Sequence, residues 1–206
     1  MLLDWSPDDD WVLFANDPMG SQSIIADGII VQAVSLQEGG LHRVAAMLGY
    51  DDYRAWCGGS LVLTAGGDRI ATANKRLLVT RPPVWHAHLL ASDPGRAWGS
   101  VTCSPGGRTV VVQSQPVSTD ANFFHTKWSR WRVGLDGAVR RLTSPPPGYA
   151  DESPRFSGAT LFFVRSRRGI GRVYALRDGK LIGPFASLGY SLGYYGHNDW
   201  TYSVRR

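Results

Sequence analysis

The sequence predicts an all-β protein, arranged as an arc of about four four-stranded antiparallel sheets. Three observations support this prediction. Short apolar runs rich in β-branched and aromatic residues recur along the 206-residue chain. A strand–turn–strand unit returns at intervals of roughly 50 residues. Sustained helical periodicity is nearly absent. The exception is residues 41–48, whose apolar side chains would share one helical face, and we interpret this segment as a short loop helix or a strand.

The repeated unit is clearest where Ser-Pro follows a bulky residue. Two full copies occupy residues 5–14 and 103–112, a shortened copy occupies residues 156–164, and a degenerate copy occupies residues 56–63. Proline presets φ for a tight turn, glycine tolerates positive φ, and the β-branched or aromatic residues that follow favour a buried strand. Each copy therefore predicts two strands joined by a tight turn.

The two later copies continue in the same way. Asp136-Gly137 and Asp178-Gly179 each lie between short apolar segments, which is a strong hairpin signal. The whole unit is thus predicted to be a four-stranded meander, as in one blade of a β-propeller. The approximate blades of this single region are residues 1–48, 49–97, 98–149 and 150–206. A β-sandwich or a barrel is the competing fold, and the repetition of whole units favours the propeller.

These motifs resemble a known repeat family. Three segments are similar to the Ser-Pro-Asp-Gly…Leu-Thr signature of TolB-like β-propeller repeats, namely Trp5-Ser6-Pro7-Asp8, Cys103-Ser104-Pro105-Gly106-Gly107 and Leu142-Thr143. The resemblance implies six blades in a complete member, so we expect a partial six-bladed propeller whose open blade edges are candidates for self-association. It also implies a periplasmic or extracytoplasmic location, although no signal peptide is visible. The aromatic segment 193–204 is expected to be a strand that closes against another blade.

Charge and composition argue against two classes of function. The formal net charge of +5 comes mainly from arginine, and the densest arginine group, within residues 165–172, flanks a predicted hairpin where solvated arginines are ordinary. We therefore expect no nucleic-acid partner. No apolar run approaches the roughly 20 residues that a membrane-spanning helix needs.

Cys57 and Cys103 form either a disulfide or a pair of thiols, so the sequence does not decide the compartment in which the protein lies.

Three motifs are candidates for chemistry, and none of them predicts a catalytic centre. The segment Gly189-Tyr190-Ser191-Leu192-Gly193 matches the nucleophile elbow of serine hydrolases, but no helix is predicted after it, and His197 and Asp199 follow in the wrong order. His86 and His88 would share one strand face, and residues 8–10 form an acidic run. We interpret these as an exposed strand and a solvated turn, and we predict no metal and no cofactor.

The longest polar loop is the segment in which we expect contacts with a partner. Residues 114–127 exceed the length that a hairpin needs, and long loops on rigid scaffolds often carry function. The proposed contact residues within it are Asp120, Asn122, Phe123, Phe124 and His125. By analogy with the family, the function is a non-catalytic scaffold for protein–protein interaction. The alternatives are the propeller of a hydrolase, peptidase or carbohydrate-binding protein, with its substrate at the channel rim, or a degenerate remnant.

Overall fold

A computed structural model describes residues 1–16, 27–91, 93–191, 193, 195–198, 200 and 202–203. The elements that are described over their full length are β-strands and two single-turn 3-10 helices, Asp51–Tyr53 and Phe123–His125. The strands form four antiparallel four-stranded sheets, which we call the first to fourth blades. The first two blades contain β1 (Leu2–Trp5), β2 (Trp11–Asn16), β3 (Ile29–Ser35) and β4 (Leu41–Met47), then β5 (Arg54–Cys57), β6 (Ser60–Ala65), β7 (Arg76–Thr80) and β8 (His88–Ala91). The last two contain β9 (Arg96–Cys103), β10 (Thr109–Pro116), β11 (Ser129–Gly134) and β12 (Val139–Arg141), then β13 (Ala150–Ser157), β14 (Thr160–Arg167), β15 (Ile170–Arg177) and β16 (Lys180–Tyr190).

Each blade is a meander, because its strands are hydrogen-bonded in the order of the sequence. The first strands β5, β9 and β13 lie next to one another, whereas the fourth strands lie at the outside. This radial stacking confirms the predicted all-β propeller arc of four blades and distinguishes it from a sandwich or a closed barrel.

The antiparallel order gives the arc two different faces. Connections from the first to the second strand and from the third to the fourth strand share one side, which we call the turn face. Connections from the second to the third strand, and those between blades, share the opposite side, which we call the loop face. The turn face carries short turns such as residues 58–59 and 158–159, whereas the loop face carries the longer segments 66–75, 117–128 and 142–149.

Burial along the strands depends on whether a blade has neighbours on both sides. In the first blade, β3 alternates between buried and half-buried residues, the pattern of a sheet covered on one face. In the third blade, the interior of β10 is buried at every position because blades pack against both of its faces. The apolar run Val110-Val111-Val112 is therefore explained by two-sided packing.

Separate cores lie between successive blades. The core between the first and second blades includes Leu13, Val31 and Leu63, and Trp11 meets Trp85 edge to face at 5.3 Å. The core between the second and third blades is mostly aliphatic, and its members include Val62, Leu77, Trp98, Val112 and Val133.

A disulfide joins the second and third blades on the turn face. Cys57 at the end of β5 is bonded to Cys103 at the end of β9, with their Cα atoms 5.3 Å apart. Directly beside it Gly58, with φ of +58°, packs so closely on Gly107 that a Cβ atom would lie 2.4 Å from the Gly107 carbonyl oxygen. Only glycine fits both the left-handed backbone and this approach. The structure thus selects the disulfide from the two alternatives that the sequence left open.

The segment after β16 crosses the loop face, and we call its described residues, 195–198, 200 and 202–203, the tail. The Tyr195 carbonyl accepts a hydrogen bond from the Ala71 amide at 2.8 Å, and the Gly196 carbonyl accepts one from Trp128 Nε1 at 3.3 Å. The tail therefore bridges the second and third blades before it returns to the fourth.

On the fourth blade the tail is anchored by one buried carboxylate. Glu152, 1% exposed, accepts hydrogen bonds from Trp200 Nε1 at 2.9 Å, Asn198 Nδ2 at 2.7 Å and Ser166 Oγ at 2.8 Å. The Trp200 ring lies over Gly171, where a Cβ atom would approach it to 2.6 Å. The tail does pack against a blade, but among its described residues only His197 forms a β-bridge, so the expected strand is wrong there.

The segment that allowed a helical interpretation is a strand. Residues 41–47 are β4, and the pairing register with β3 shifts between Val31 and Gln32, so that Val44 is an extra residue in the ladder. This bulge changes the spacing of buried residues from two to three, which produces the apparent helical pattern. Within the described residues, no helix has the length and apolar character needed to span a bilayer.

Candidate partner-binding groove

A groove opens on the loop face between the third and fourth blades. Four segments line it, namely residues 115–127, Gly148 in the connection between the blades, Arg167 and Arg168 at the end of β14 and in the turn after it, and Tyr190 at the end of β16. It consists of two adjoining cavities of about 520 and 600 Å³ that share Phe124, His125 and Gly148. The two volumes fall within the range that ligand pockets in proteins have.

Hydrogen bonds hold the loop that forms one wall. Thr72 in the second blade exchanges two 2.9 Å bonds with Ser118, since its hydroxyl donates to the Ser118 carbonyl and its carbonyl accepts from the Ser118 amide. At the other end, the Lys127 amide donates to Gln115 Oε1 at 2.6 Å. The loop is therefore anchored on two blades at once.

Side chains within the loop cap its backbone in succession. The Asp120 amide donates to Ser118 Oγ, the Asn122 amide to Asp120 Oδ1, and the Phe124 amide to Asn122 Oδ1, at 2.9–3.1 Å. Such side-chain turns fix a backbone that makes no ladder hydrogen bonds. Asp120 and Asn122, which the sequence suggested as partner contacts, both support the shape of the loop through these bonds.

His125 pairs with Asp120 at the mouth of the groove. Its Nδ1 atom lies 2.7 Å from Asp120 Oδ2, and both side chains are largely exposed. The pKa of Asp120 is lowered, first by the hydrogen bond from the Asn122 amide and then by the bond from His125. The carboxylate is thus charged at neutral pH and already bonded within the loop, and the His125 side chain remains 63% exposed.

Two exposed aromatic rings form the floor of the groove. Phe124 is 37% exposed and Tyr190 is 59% exposed, and their ring centroids lie 5.9 Å apart. Both rings rest on Gly169, where a Cβ atom would come within 2.7 Å of Phe124 and 3.1 Å of Tyr190. The side chain of Phe123, the remaining predicted contact, lies outside the described residues.

Basic side chains dominate the edge of the groove on the fourth blade. Arg168 and Gly169 both have positive φ, +50° and +76°, as in the type I′ hairpin turn that places Arg168 at the tip. Arg167 lies over the Tyr149 ring at 5.3 Å, and Lys127 is exposed on the opposite wall. The sequence had singled out this arginine group only as solvated residues of a hairpin, because nothing local indicates that the turn faces the 117–127 loop.

The residues of the hydrolase-like motif lie apart. Ser191 is 3% exposed, its amide donates to the Gly169 carbonyl at 2.7 Å, and its hydroxyl accepts from the Gly193 amide. His197 instead stacks on Tyr50 at 3.9 Å, with Nε2 3.7 Å from Asp52. Asp199 lies outside the described residues. A nucleophile elbow needs serine and histidine within hydrogen-bond reach, and their contacts place them at different blades.

The two sequence motifs considered for metals lie away from the groove. His86 and His88 are exposed on the turn between β7 and β8 and at the start of β8. Asp8 accepts a hydrogen bond from Ser6, which lowers its pKa, and so it caps the turn before β2. Among the described residues, no three His, Cys, Asp or Glu side chains group as metal ligands would.

The radial stacking of four-stranded meanders defines a β-propeller fold, and solved structures of TolB and of a hydrolase are similar to the chain in fold. The chain is similar to a putative TolB from Agrobacterium tumefaciens, with a TM-score of 0.61 and 16% identity over 90% of this chain and 64% of that one. It is also similar to TolB from Acinetobacter baumannii, with a TM-score of 0.56 and 15% identity over 91% of this chain and 42% of that one.

A third similar structure is puromycin hydrolase, with a TM-score of 0.60 and 12% identity over 97% of this chain and 29% of that one. The chain therefore spans less than two thirds of each of these proteins. No family model matches the sequence, and no curated protein matches it either. At such low identities the likeness establishes the fold alone, because one fold serves many functions.

Proposed function

We propose that the protein is a non-catalytic propeller scaffold that binds a protein partner in the groove between the third and fourth blades. The observation that supports this proposal is the pair of exposed rings, Phe124 and Tyr190, held on anchored loops beside a cavity. Aromatic residues are enriched at protein interfaces, and a rigid wall lowers the entropy lost on binding. The predicted contacts Phe124 and His125 line this groove.

A scaffold fits the described side chains better than a catalyst does. The Asp120–His125 pair has the arrangement of an acid that orients a base, but in the described part of the chain no serine or cysteine hydrogen-bonds to His125. Acyl transfer requires such a nucleophile about 3 Å from the base. The pair is accounted for by the loop that it closes.

Site-specific photocrosslinking tests the proposal. Phe124 is replaced by p-benzoylphenylalanine in the full chain expressed in its native cell, and irradiation is expected to give one discrete adduct. The matched control places the same residue at Val84, which is 72% exposed on the turn face. An adduct at position 124 that is absent at position 84, and that disappears in Tyr190→Ala, supports the groove. Equal labelling at both positions, or no adduct at position 124, contradicts it.

The likeness to puromycin hydrolase supports a second role, the propeller of a hydrolase. We expect this chain to leave p-nitrophenyl esters and peptide p-nitroanilides intact. Measurable turnover that is lost in Ser191→Ala or in His125→Ala would overturn the scaffold proposal. The two variants separate the elbow motif from the Asp120–His125 pair.

We also propose that the end blades associate between copies of the chain. Residues 1–48 contain seven acidic and one basic side chain, whereas residues 150–206 contain four acidic and nine basic ones. Both end blades expose apolar residues, including Leu2 and Leu41 in the first blade and Leu181 and Phe185 in the fourth. Sedimentation velocity is expected to show assembly that weakens in Phe185→Glu, and a monomer at every concentration contradicts the proposal.

A further inference from the structure

We infer that the groove recognises an acidic peptide segment that carries an aromatic or large apolar side chain. This inference rests on the proposed function and specifies the chemistry of the partner. It follows from the distribution of charge around the groove, from the ring pair at its floor, and from the polar wall opposite the arginines.

The first step concerns charge. Lys127, Arg167 and Arg168 are exposed around the cavity of about 600 Å³ and the adjoining wall. The carboxylate that lines the groove belongs to Asp120, which already accepts bonds from His125 and from the Asn122 amide. The cations are therefore incompletely balanced by the groove itself. A partner carboxylate gains charge-assisted hydrogen bonds there, whereas a partner lysine or arginine meets like charge.

The second step concerns the geometry of the arginines. Arg167 lies over Tyr149, with Nη1 3.5 Å from the Tyr149 hydroxyl, and this contact orients its guanidinium at the groove. A guanidinium has five N–H donors in a planar fork, so most of them remain for a ligand. Arg168 extends from the tip of a two-residue turn. Two forks on adjacent residues suit carboxylates on one short segment of a partner.

The third step concerns the floor. Phe124 and Tyr190 expose the faces or edges of two rings that lie 5.9 Å apart. An aromatic side chain from a partner would gain stabilisation from ring geometry beyond the burial of its area. The floor adjoins the arginines directly, because Tyr190 and both arginines line the same cavity. The recognised segment therefore has its apolar side chain next to its carboxylates in sequence.

The fourth step distinguishes a peptide from a nucleic acid, which would also favour rings beside cations. A nucleic-acid strand needs basic groups along its whole path, because its charge repeats at every phosphate. In this groove two cations, Arg167 and Arg168, lie on adjacent residues of the fourth blade, whereas the far wall presents Gln115, Ser118 and Asp120 beside Lys127. A short segment with local negative charge matches this distribution, and a repeated polyanion does not.

Fluorescence anisotropy with defined probes tests the inference on the full chain. The probes are a labelled Gly-Glu-Asp-Phe-Glu-Asp-Gly peptide, its analogue with lysine at every acidic position, its analogue with alanine for phenylalanine, and a single-stranded oligonucleotide. The acidic aromatic peptide is expected to bind most tightly, and its affinity should fall as salt rises from about 0.05 to about 0.5 M. Arg168→Glu should weaken it by about tenfold or more.

Two controls keep the result interpretable. Arg140→Glu reverses an exposed charge on the outer strand of the third blade and should leave the affinity unchanged. Arg168→Gln retains a polar residue at the turn and should give an intermediate loss, with the fold checked by circular dichroism. Equal affinity for the acidic and lysine peptides, tighter binding of the oligonucleotide, or equal effects of Arg168→Glu and Arg140→Glu would overturn the inference.

The result of the peptide-binding experiment can be distinguished from the result of the photocrosslinking experiment that tests the proposed function. A specific adduct at position 124 together with no binding of the acidic peptide means that the groove holds a partner of different chemistry, and only the inference fails. Loss of both signals means that the groove is not a protein-binding site.

Discussion

The disulfide between the second and third blades gives a prediction whose magnitude follows from chain topology. Cys57 and Cys103 enclose a loop with a sequence separation of 46, and this loop includes most of the second blade and the first strand of the third. Removing the cross-link frees the unfolded chain while the folded blades keep their aliphatic core. The double variant Cys57→Ala/Cys103→Ala should therefore be destabilised chiefly through the unfolded state.

Loop-closure entropy sets the size of this effect. For a closed loop of this length the cross-link contributes roughly 4 kcal/mol at 25 °C. For a chain of this size, that corresponds to a decrease in Tm of about 8–16 °C. The Cys57 side chain is buried, so its replacement by alanine adds a small packing loss to the entropic effect.

Urea and thermal unfolding, monitored by tryptophan fluorescence, measure the change in the free energy of unfolding. The oxidised protein is compared with the double variant and with the protein reduced by dithiothreitol in urea and alkylated. The matched control is Ser104→Ala, a substitution beside the disulfide that leaves it intact. Thiol titration of the untreated protein should find no free cysteine. Equal stability of the oxidised protein and the double variant, or two titratable thiols, would refute the reasoning.

Two buried charges give further predictions. Lys75 donates to the carbonyls of Asp68, Ile70 and Ala73, and burial lowers its pKa to about 8. Between pH 8 and the unfolded value near 10.5 the unfolded chain binds more protons, so the free energy of unfolding should rise with pH by up to about 1.4 kcal/mol per unit. Urea titrations at pH 7 and at pH 10 measure the free energy of unfolding. Lys75→Met should abolish its rise between these two pH values. An unchanged rise in the variant would contradict the assignment of the titration to Lys75. Glu152→Gln places an amide donor among the four side chains that donate to the carboxylate, and it should cost about 1–3 kcal/mol. Proteolysis of the tail should become faster, and unchanged protection would contradict the anchoring role.

The blades could be predicted from the sequence because their signals are local. Strand periodicity, the Ser-Pro turns and Asp-Gly hairpins each lie within about ten residues of the structure that they specify. The same locality explains why the segment of β4 was left open between a short loop helix and a strand, because a bulge at Val44 changes the spacing of buried residues. Pairing of Cys57 with Cys103 was left open, because contact between blades depends on how whole sheets stack.

The groove was only partly predictable for the same reason. The loop that includes Phe124 and His125 was evident from its length, but its opposite wall comes from segments about 20 to 65 residues further along the chain. Arg168 and Tyr190 carry no local sign that they face this loop. The anchoring of the tail on Glu152 was equally hidden, since a glutamate in a strand pattern is ordinarily exposed.

The difference between the two faces of the arc connects stability with binding. On the turn face the connections are short and the blades approach closely, as at Gly58 and Gly107, so a substitution there changes packing between blades. On the loop face the backbone is supported by side-chain turns such as Asp120 and Asn122, and the exposed rings and cations contribute little to the core. Substitutions on the turn face should therefore lower stability with little effect on the affinity of the folded protein, whereas Arg168→Glu should lower affinity at nearly unchanged stability. If Arg168→Glu lowered both the affinity and the stability, the groove would be part of the folding core. The turn face and the loop face would then not have separate roles in stability and binding.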